Sequence, residues 1–358
     1  MIAMNKYMKT FALTGKEKME IQERPMPEIA NDTDVLIRMI RVGVCGSDMH
    51  YYKEGGIGSQ VISYPFTPGH EGAGIIAAVG KGVKHVAVGD RVAIDPAMPC
   101  GHCDQCEAGR PHTCRNLKFL GNPGQAEGCL SEYIVIPEGS CFPINNRLGF
   151  DEAVISEPLA IGYYATKLAG DLRGKSIGIL GFGPIGMSVL LPAQVQEPAK
   201  VYVTDKLEHR LKIAHETGAN WTGNPDETNI VLEINRLEPL QLDYVFECCG
   251  KQEAVDQAIQ LLKPGGTLLI VGIPEFSHWS FPVDELRRKE ITIQNVRRQN
   301  GFTRPALDLI ADSTMDVTPM VTHHFPFEET DKAYATVANY EDGVMKAMID
   351  FSAGRYDD

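Results

Sequence analysis

Apolar positions change their rhythm part-way along the chain. Up to Phe150 they come in short runs, Val35–Val44, Gly74–Val79, Arg91–Ile94 and Leu130–Ile136, separated by Gly and Pro. That texture predicts an irregular β-rich domain. From Ser176 onward, apolar strands alternate with helical periodicity. Ser176–Leu180 precedes a helix from Ile185, Lys200–Thr204 precedes the amphipathic stretch Leu207–Thr217, and Asp243–Glu247 precedes Ala254–Leu262. Thr267–Val271 is followed by a further strand, Ile291–Asn295. Alternation of this kind predicts an α/β unit with a parallel, doubly wound sheet. After Arg304 a helix and the segment Val321–Phe327 return to the mixed texture, so the C-terminus is expected to rejoin the first domain. Pro192 lies inside the helix from Ile185, where it removes a backbone donor and is expected to bend the helix.

A chain of 358 residues is long enough for two domains, each with its own core. Thirty-four Lys and Arg against forty-seven Asp and Glu give a net charge of −13. Such a surface repels phosphate backbones and anionic lipid, which argues against nucleic-acid and membrane partners. The longest uncharged stretch, Ser176–Gln196, is broken by Gly181, Gly183, Pro184, Gly186 and Pro192, which suits a strand, turn and helix better than a membrane span. Met1–Leu13 lacks an apolar run of signal-peptide length. Together with nine cysteines, this predicts a cytoplasmic protein whose thiols are reduced or bind metal.

The first chemical motif is Gly181-Phe-Gly183-Pro184-Ile185-Gly186, after an apolar strand and at a helix start. Glycine at these positions permits a tight turn, close approach of the backbone to a pyrophosphate, and close helix–sheet packing. Asp205 ends the next strand, where a carboxylate accepts hydrogen bonds from both adenosine ribose hydroxyls and repels a 2′-phosphate. NAD is therefore expected over NADP, with Lys206 and Arg210 beside the same site. The bland reading is a structural glycine turn.

The second motif is Cys100-x2-Cys103-x2-Cys106-x7-Cys114. Four thiolates at this spacing can close a tetrahedral shell, and a sulfur-only shell suits a structural zinc. An iron–sulfur cluster or a pair of disulfides is the rival reading. Cys129, Cys141, Cys248 and Cys249 lack ligand spacing and read as buried small residues. A third, scattered set comprises Cys45, His70, Glu71 and Glu157. Each has a structural explanation taken singly: a buried thiol, a turn histidine, a carboxylate before Pro158.

A resemblance bears on that set. Gly69-His70-Glu71-x2-Gly74-x5-Gly80-x2-Val83, followed by Gly89-Asp-Arg-Val92, resembles the signature of zinc-dependent medium-chain alcohol dehydrogenases. The similarity covers nearly the whole chain and includes Cys45-Gly-Ser-Asp-Met-His50-Tyr51-Tyr52, the four-cysteine lobe and Val321-Thr-His323. His50-Tyr-Tyr-Lys-Glu-Gly-Gly-Ile-Gly58 and Ser156-Glu-Pro-Leu159 are similar to the sorbitol and polyol dehydrogenase branch. The resemblance implies a GroES-like β-rich catalytic domain plus a Rossmann domain, with the active site in the cleft between them. On it we expect the catalytic domain over 1–158, the NAD-binding domain over 159–298, and the C-terminal return over 299–358.

The resemblance also implies site roles and two zinc ions per chain. The catalytic zinc would lie on Cys45, His70 and Glu71, with Glu157 entering the shell or acting through bound water. Ser47 and His50 match the proton relay. Tyr51, Phe119, Glu157, Arg298 and Gln299 match the substrate side. Val271, Gly272 and Ile273 would line the nicotinamide, with Val296 and Arg298 also toward the cofactor. The implied reaction moves a hydride from a secondary hydroxyl of a polyol to NAD, in a homo-oligomer, either dimer or tetramer. One departure stands out: Arg297-Arg298-Gln299 replaces the Phe-Arg-Tyr of many polyol dehydrogenases. A second guanidinium keeps a sugar-acid substrate open; the opposing reading is an Arg297 that lies in solvent at the domain seam with no substrate role. A threonine-like amino-alcohol, or a nucleotide-binding protein without catalysis, completes the alternatives. His323 and His324 are expected to be structural.

Overall fold

A computed structural model of the chain describes residues 6–351. It forms two compact units: the first runs to Glu157 and resumes at Met320, and the second is Pro158–Pro319.

In the first unit, strand Asp34–Gly43 is the hub of a seven-stranded sheet, pairing antiparallel with Glu71–Val79, Tyr133–Pro137 and Lys346–Asp350. Its apolar side chains, Val35, Ile37, Met39 and Val42, are buried with Ile76, Val92, Ile94, Ile134 and Ile349 in one core. This is the irregular β-rich domain that the short apolar runs predict. The register sets Gly43 opposite both Glu71 and Met348. Gly43 thus lies between the C-terminal strand and the strand that begins at Glu71, which puts the two only one strand apart.

The second unit is a six-stranded parallel sheet ordered 221–223, 200–204, 176–180, 242–247, 262–270, 292–295. Taken in sequence, that order is 3-2-1-4-5-6, the dinucleotide-binding arrangement, with its ligand crevice at the carboxyl ends of the central strands. The inner strands Ser176–Leu180 and Lys200–Thr204 are buried over all but their first residue, which is why they read as continuous apolar runs. The short strand Trp221–Gly223 has no apolar run of its own to announce it.

Two expectations change. The return to the first unit falls at Met320 rather than 299. Helix Thr303–Ala311 stays with the second unit because the Phe302 ring sits 4.9 Å from Tyr163 and 5.6 Å from Tyr164, with Ala306, Leu307 and Ile310 buried behind it. Cys129 and Cys141 are buried, but Cys248 is half-buried and Cys249 exposed, because both follow strand Leu242–Glu247 at the edge of the crevice.

Pro192 lies inside one continuous helix, Pro184–Val195. Its missing N–H deprives the Ser188 carbonyl of its helical partner. Gly162 backs onto that carbonyl so closely that a Cβ there would lie 1.9 Å from the oxygen. No described helix is long and apolar enough to cross a membrane.

Candidate active site and metal centres

Cys45 caps helix Gly46–Glu54 in an extended conformation, which turns its thiol toward the start of strand Glu71–Val79. Ligand atoms of Cys45, His70 and Glu71 all lie within 4.8 Å of one another. The Ser47 hydroxyl is 3.3 Å from the Cys45 sulfur. His50 follows three residues on, on the same helix face, and is half-buried. The Phe119 ring lies 5.6 Å from that of His70.

Two buried charged residues that the sequence reading did not single out complete this cluster. Asp48 is fully buried; one carboxylate oxygen accepts from the Cys45 amide at 3.1 Å and the other is 3.5 Å from His70 Nδ1. A carboxylate behind a histidine fixes its tautomer and raises its basicity as a ligand. The clue was an acidic residue in the first turn after a capping Cys. Lys346 comes from the last strand, and its ammonium is 2.7 Å from both Glu71 oxygens and 3.2 Å from the Val44 carbonyl. Both side chains are essentially inaccessible, at 1% and 0% exposure. Gly43 makes room for the pair, since a Cβ there would lie 2.4 Å from Glu71 Oε2.

The electrostatics fit a cation. Burial alone would push the His70 imidazole down, yet the adjoining Asp48 and Cys45 outweigh it and raise its pKa well above the ordinary value. A pocket that pulls a proton onto a buried imidazole is one that holds positive charge. As ligands, Cys45 and Glu71 would bring two negative charges as thiolate and carboxylate, and the buried Asp48 adds a third; Lys346 offsets one, so a divalent ion would bring the cluster close to neutral. Cys, His and carboxylate donors in a three-ligand set match a zinc site with an open position. Glu157, on helix Phe150–Ala169, lies outside the trio within 4.8 Å. Burial pushes its carboxyl up to about 7, Glu71 and Asp95 adding to the effect while His70 and Lys346 oppose it.

The four-cysteine lobe is assembled by tight turns and the short helix Asp104–Glu107. Its sulfurs stand 3.6 Å (Cys103–Cys106), 3.8 Å (Cys103–Cys114) and 3.5 Å (Cys100–Cys114) apart, all four within 4.8 Å. A disulfide needs about 2.05 Å. A tetrahedral shell with zinc–sulfur bonds of about 2.3 Å puts its sulfurs roughly 3.8 Å apart. The backbone amide of His102 helps pull the Cys100 thiol down to about 6, toward the thiolate that a metal requires.

In the second unit, Gly181 adopts φ +93° where strand Ser176–Leu180 ends, and a Cβ on Gly186 would lie 2.1 Å from the Gly181 carbonyl. Both glycines are therefore required by the turn. Pro184 opens the helix, and Ile185 and Gly186 follow in its first turn. Asp205 accepts from the amides of Phe182 (2.6 Å) and Leu207 (2.9 Å), which fixes its carboxylate against the glycine turn. Arg210 reaches within 4.0 Å of Asp205, whereas Lys206 is drawn to Asp226 at 2.8 Å. The Val271 and Gly272 amides bond the Glu247 carbonyl, the Val296 amide bonds Ile270, and Ile273 is half exposed.

Arg298 sits in a left-handed conformation (φ 51°) and Arg297 is exposed. The Gln299 side-chain oxygen accepts from the Phe302 amide at 2.7 Å, a turn-forming use that the substrate-side expectation did not include. His324 lies in an ion cluster with Arg41 and Asp151, and His323 beside Asp342.

Residues 31–146 match the model of the alcohol dehydrogenase GroES-like domain, and residues 184–312 that of the zinc-binding dehydrogenases. The chain belongs to the zinc-binding alcohol dehydrogenase family and is an oxidoreductase. It is 32% identical to sorbitol dehydrogenase of Bacillus subtilis over 343 residues, 96% of this chain and 97% of that one. It is 34% identical to sorbitol dehydrogenase of Mus musculus over 339 residues, 94% and 93% of the two chains. The crystal structure of L-idonate 5-dehydrogenase from Escherichia coli superposes with a TM-score of 0.89 at 26% identity, covering 96% and 98%.

Proposed function

We propose that the protein oxidises a secondary hydroxyl of a polyol of about four to six carbons to the ketose, with NAD as hydride acceptor. The observation that carries this reading is the cluster of Cys45, His70 and Glu71 with Ser47 and the buried Glu157 beside it. Zinc held by Cys45, His70 and Glu71 would supply a Lewis acid that makes the substrate hydroxyl more acidic. Ser47 accepts the hydroxyl proton as its own hydroxyl proton moves on toward His50, one turn further along the same helix, which passes it to solvent. Glu157, with its raised pKa, offers the substrate a carboxyl able to donate or accept near neutrality. Asp205 binds the adenosine ribose through its carboxylate. The lobe of Cys100, Cys103, Cys106 and Cys114 holds a second, structural zinc.

Nine cysteines, none of them in a disulfide, suit a reducing compartment, and we place the enzyme in the cytoplasm as a homodimer or homotetramer. NADH formation across a panel of polyols, aldonates and threonine, with the ketose product identified, tests the reading. Threonine as the best substrate would overturn it. An aldonate is the second reading, favoured by the Arg297–Arg298 pair. In that case Arg297→Phe lowers the aldonate-to-polyol ratio, and raised salt does the same.

A further inference from the structure

Asn122 is buried, at 3% exposure, and only part of its amide is used. Its Oδ1 accepts from the Tyr51 hydroxyl at 3.0 Å, whereas its Nδ2, also buried, has no partner among the described residues. The residue cannot swing away easily, because its backbone carbonyl accepts from the amides of Gln125 and Ala126 at 3.0 and 3.3 Å. The preceding Gly121 adopts φ +68°, and a Cβ there would lie 2.5 Å from the Gly69 carbonyl. That contact presses the segment against the residue before His70, and Phe119, three residues earlier, faces the His70 ring. Tyr51 comes from the helix that Cys45 caps. A buried amide donor is thus held through Tyr51 to the helix that Cys45 caps, and through Gly121 to the segment that runs into His70. Buried donors are nearly always paired, so an open one at this position calls for a ligand.

We propose that Asn122 is a specificity-determining residue whose Nδ2 donates to a substrate hydroxyl other than the one oxidised, while Tyr51 holds the amide by its oxygen. The inference rests on the polyol reading above. A monohydric alcohol has no oxygen for this donor and leaves it unpaired, which is how a site built on hydrogen bonds rejects the simpler substrate. Tyr51 then acts through Asn122, as a positioning residue.

The test compares kcat/KM for a six-carbon polyol with that for 2-butanol in the wild type, Asn122→Ala, Tyr51→Phe and the double variant. Asn122→Ala should lower the polyol-to-butanol ratio ten- to a hundredfold. Tyr51→Phe, which keeps the buried ring, should lower it about three- to tenfold alone and not at all in the Asn122→Ala background. An unchanged ratio in Asn122→Ala, whether activity is kept or lost equally on both substrates, overturns the proposal. Effects of the two variants that multiply overturn the role given to Tyr51. A wild type that ignores polyols sinks the functional reading itself, a result distinct from either.

Discussion

Replacing Lys346 by Met tests whether its ammonium and the metal share Glu71. In the wild type the charged groups are 2.7 Å apart at both oxygens, with exposures of 1% and 0%. At an effective dielectric constant of about 20, that separation corresponds to roughly 6 kcal/mol of attraction. Removing one partner of a buried pair costs about 3–5 kcal/mol, because the other charge stays buried without compensation. Met fills most of the Lys volume, so the loss is electrostatic. It should therefore depend on metal: a divalent ion on Glu71 supplies the missing positive charge, whereas the stripped protein has none. We expect Lys346→Met to lower the melting temperature of the first unit by about 6–20 °C once a mild chelator has emptied the open site and left the four-cysteine site filled. With zinc restored, the loss should be much smaller. By the same cycle the variant should bind zinc at least about tenfold more tightly, since a like charge has been removed. Melting curves with and without metal, and zinc competition against a chromogenic chelator, measure both quantities. An equal loss with and without metal, or weaker zinc binding, would refute the idea that Lys346 and the metal compete for the same carboxylate.

The two zinc sites should separate by variant. Metal analysis should give two zinc per chain; Cys103→Ser should impair folding, and His70→Ala should abolish turnover in a chain that still folds, because a closed site contributes folding free energy and an open one serves chemistry. Asp205→Ser should weaken NAD and narrow its preference over NADP, as read from kcat/KM with each cofactor; equal use of both by the unmodified protein contradicts the role of Asp205. Gly162→Ala should cost at least about 1–3 kcal/mol in urea unfolding, since its Cβ would fall 1.9 Å from the Ser188 carbonyl; a neutral outcome would mean the two helices slide apart without cost.

The parts of this molecule that were legible in the sequence are those set by local rules. Alternating apolar strands and helices announced the parallel sheet, Gly181-x-Gly183-x2-Gly186 announced its turn, and close spacing announced the four-cysteine lobe. The open metal cluster was different. Cys45, His70, Glu71 and Glu157 have no mutual spacing that demands a shared site, and only the resemblance joined them. Lys346 was hidden for the same reason: it meets Glu71 across 275 residues of chain, and a Lys in an apolar strand looks like any edge residue. Gly43 gave no signal because the atom it avoids belongs to a neighbouring strand. The late return at Met320 was obscured because the 303–311 helix carries a helical pattern that either unit could bury. The Phe302 contacts with Tyr163 and Tyr164, with the buried Ala306, Leu307 and Ile310, assign it.

The central claim is that this zinc-binding dehydrogenase is built for a polyhydroxylated substrate. The direct measurement is kcat/KM for NADH formation from a vicinal polyol of four to six carbons against a short monohydric alcohol, on zinc-loaded enzyme. Unpaired buried polar groups should penalise the simple alcohol, so the expected result is a preference for the polyol of at least about a hundredfold. Ethanol or butanol turned over as efficiently as the polyol would contradict it.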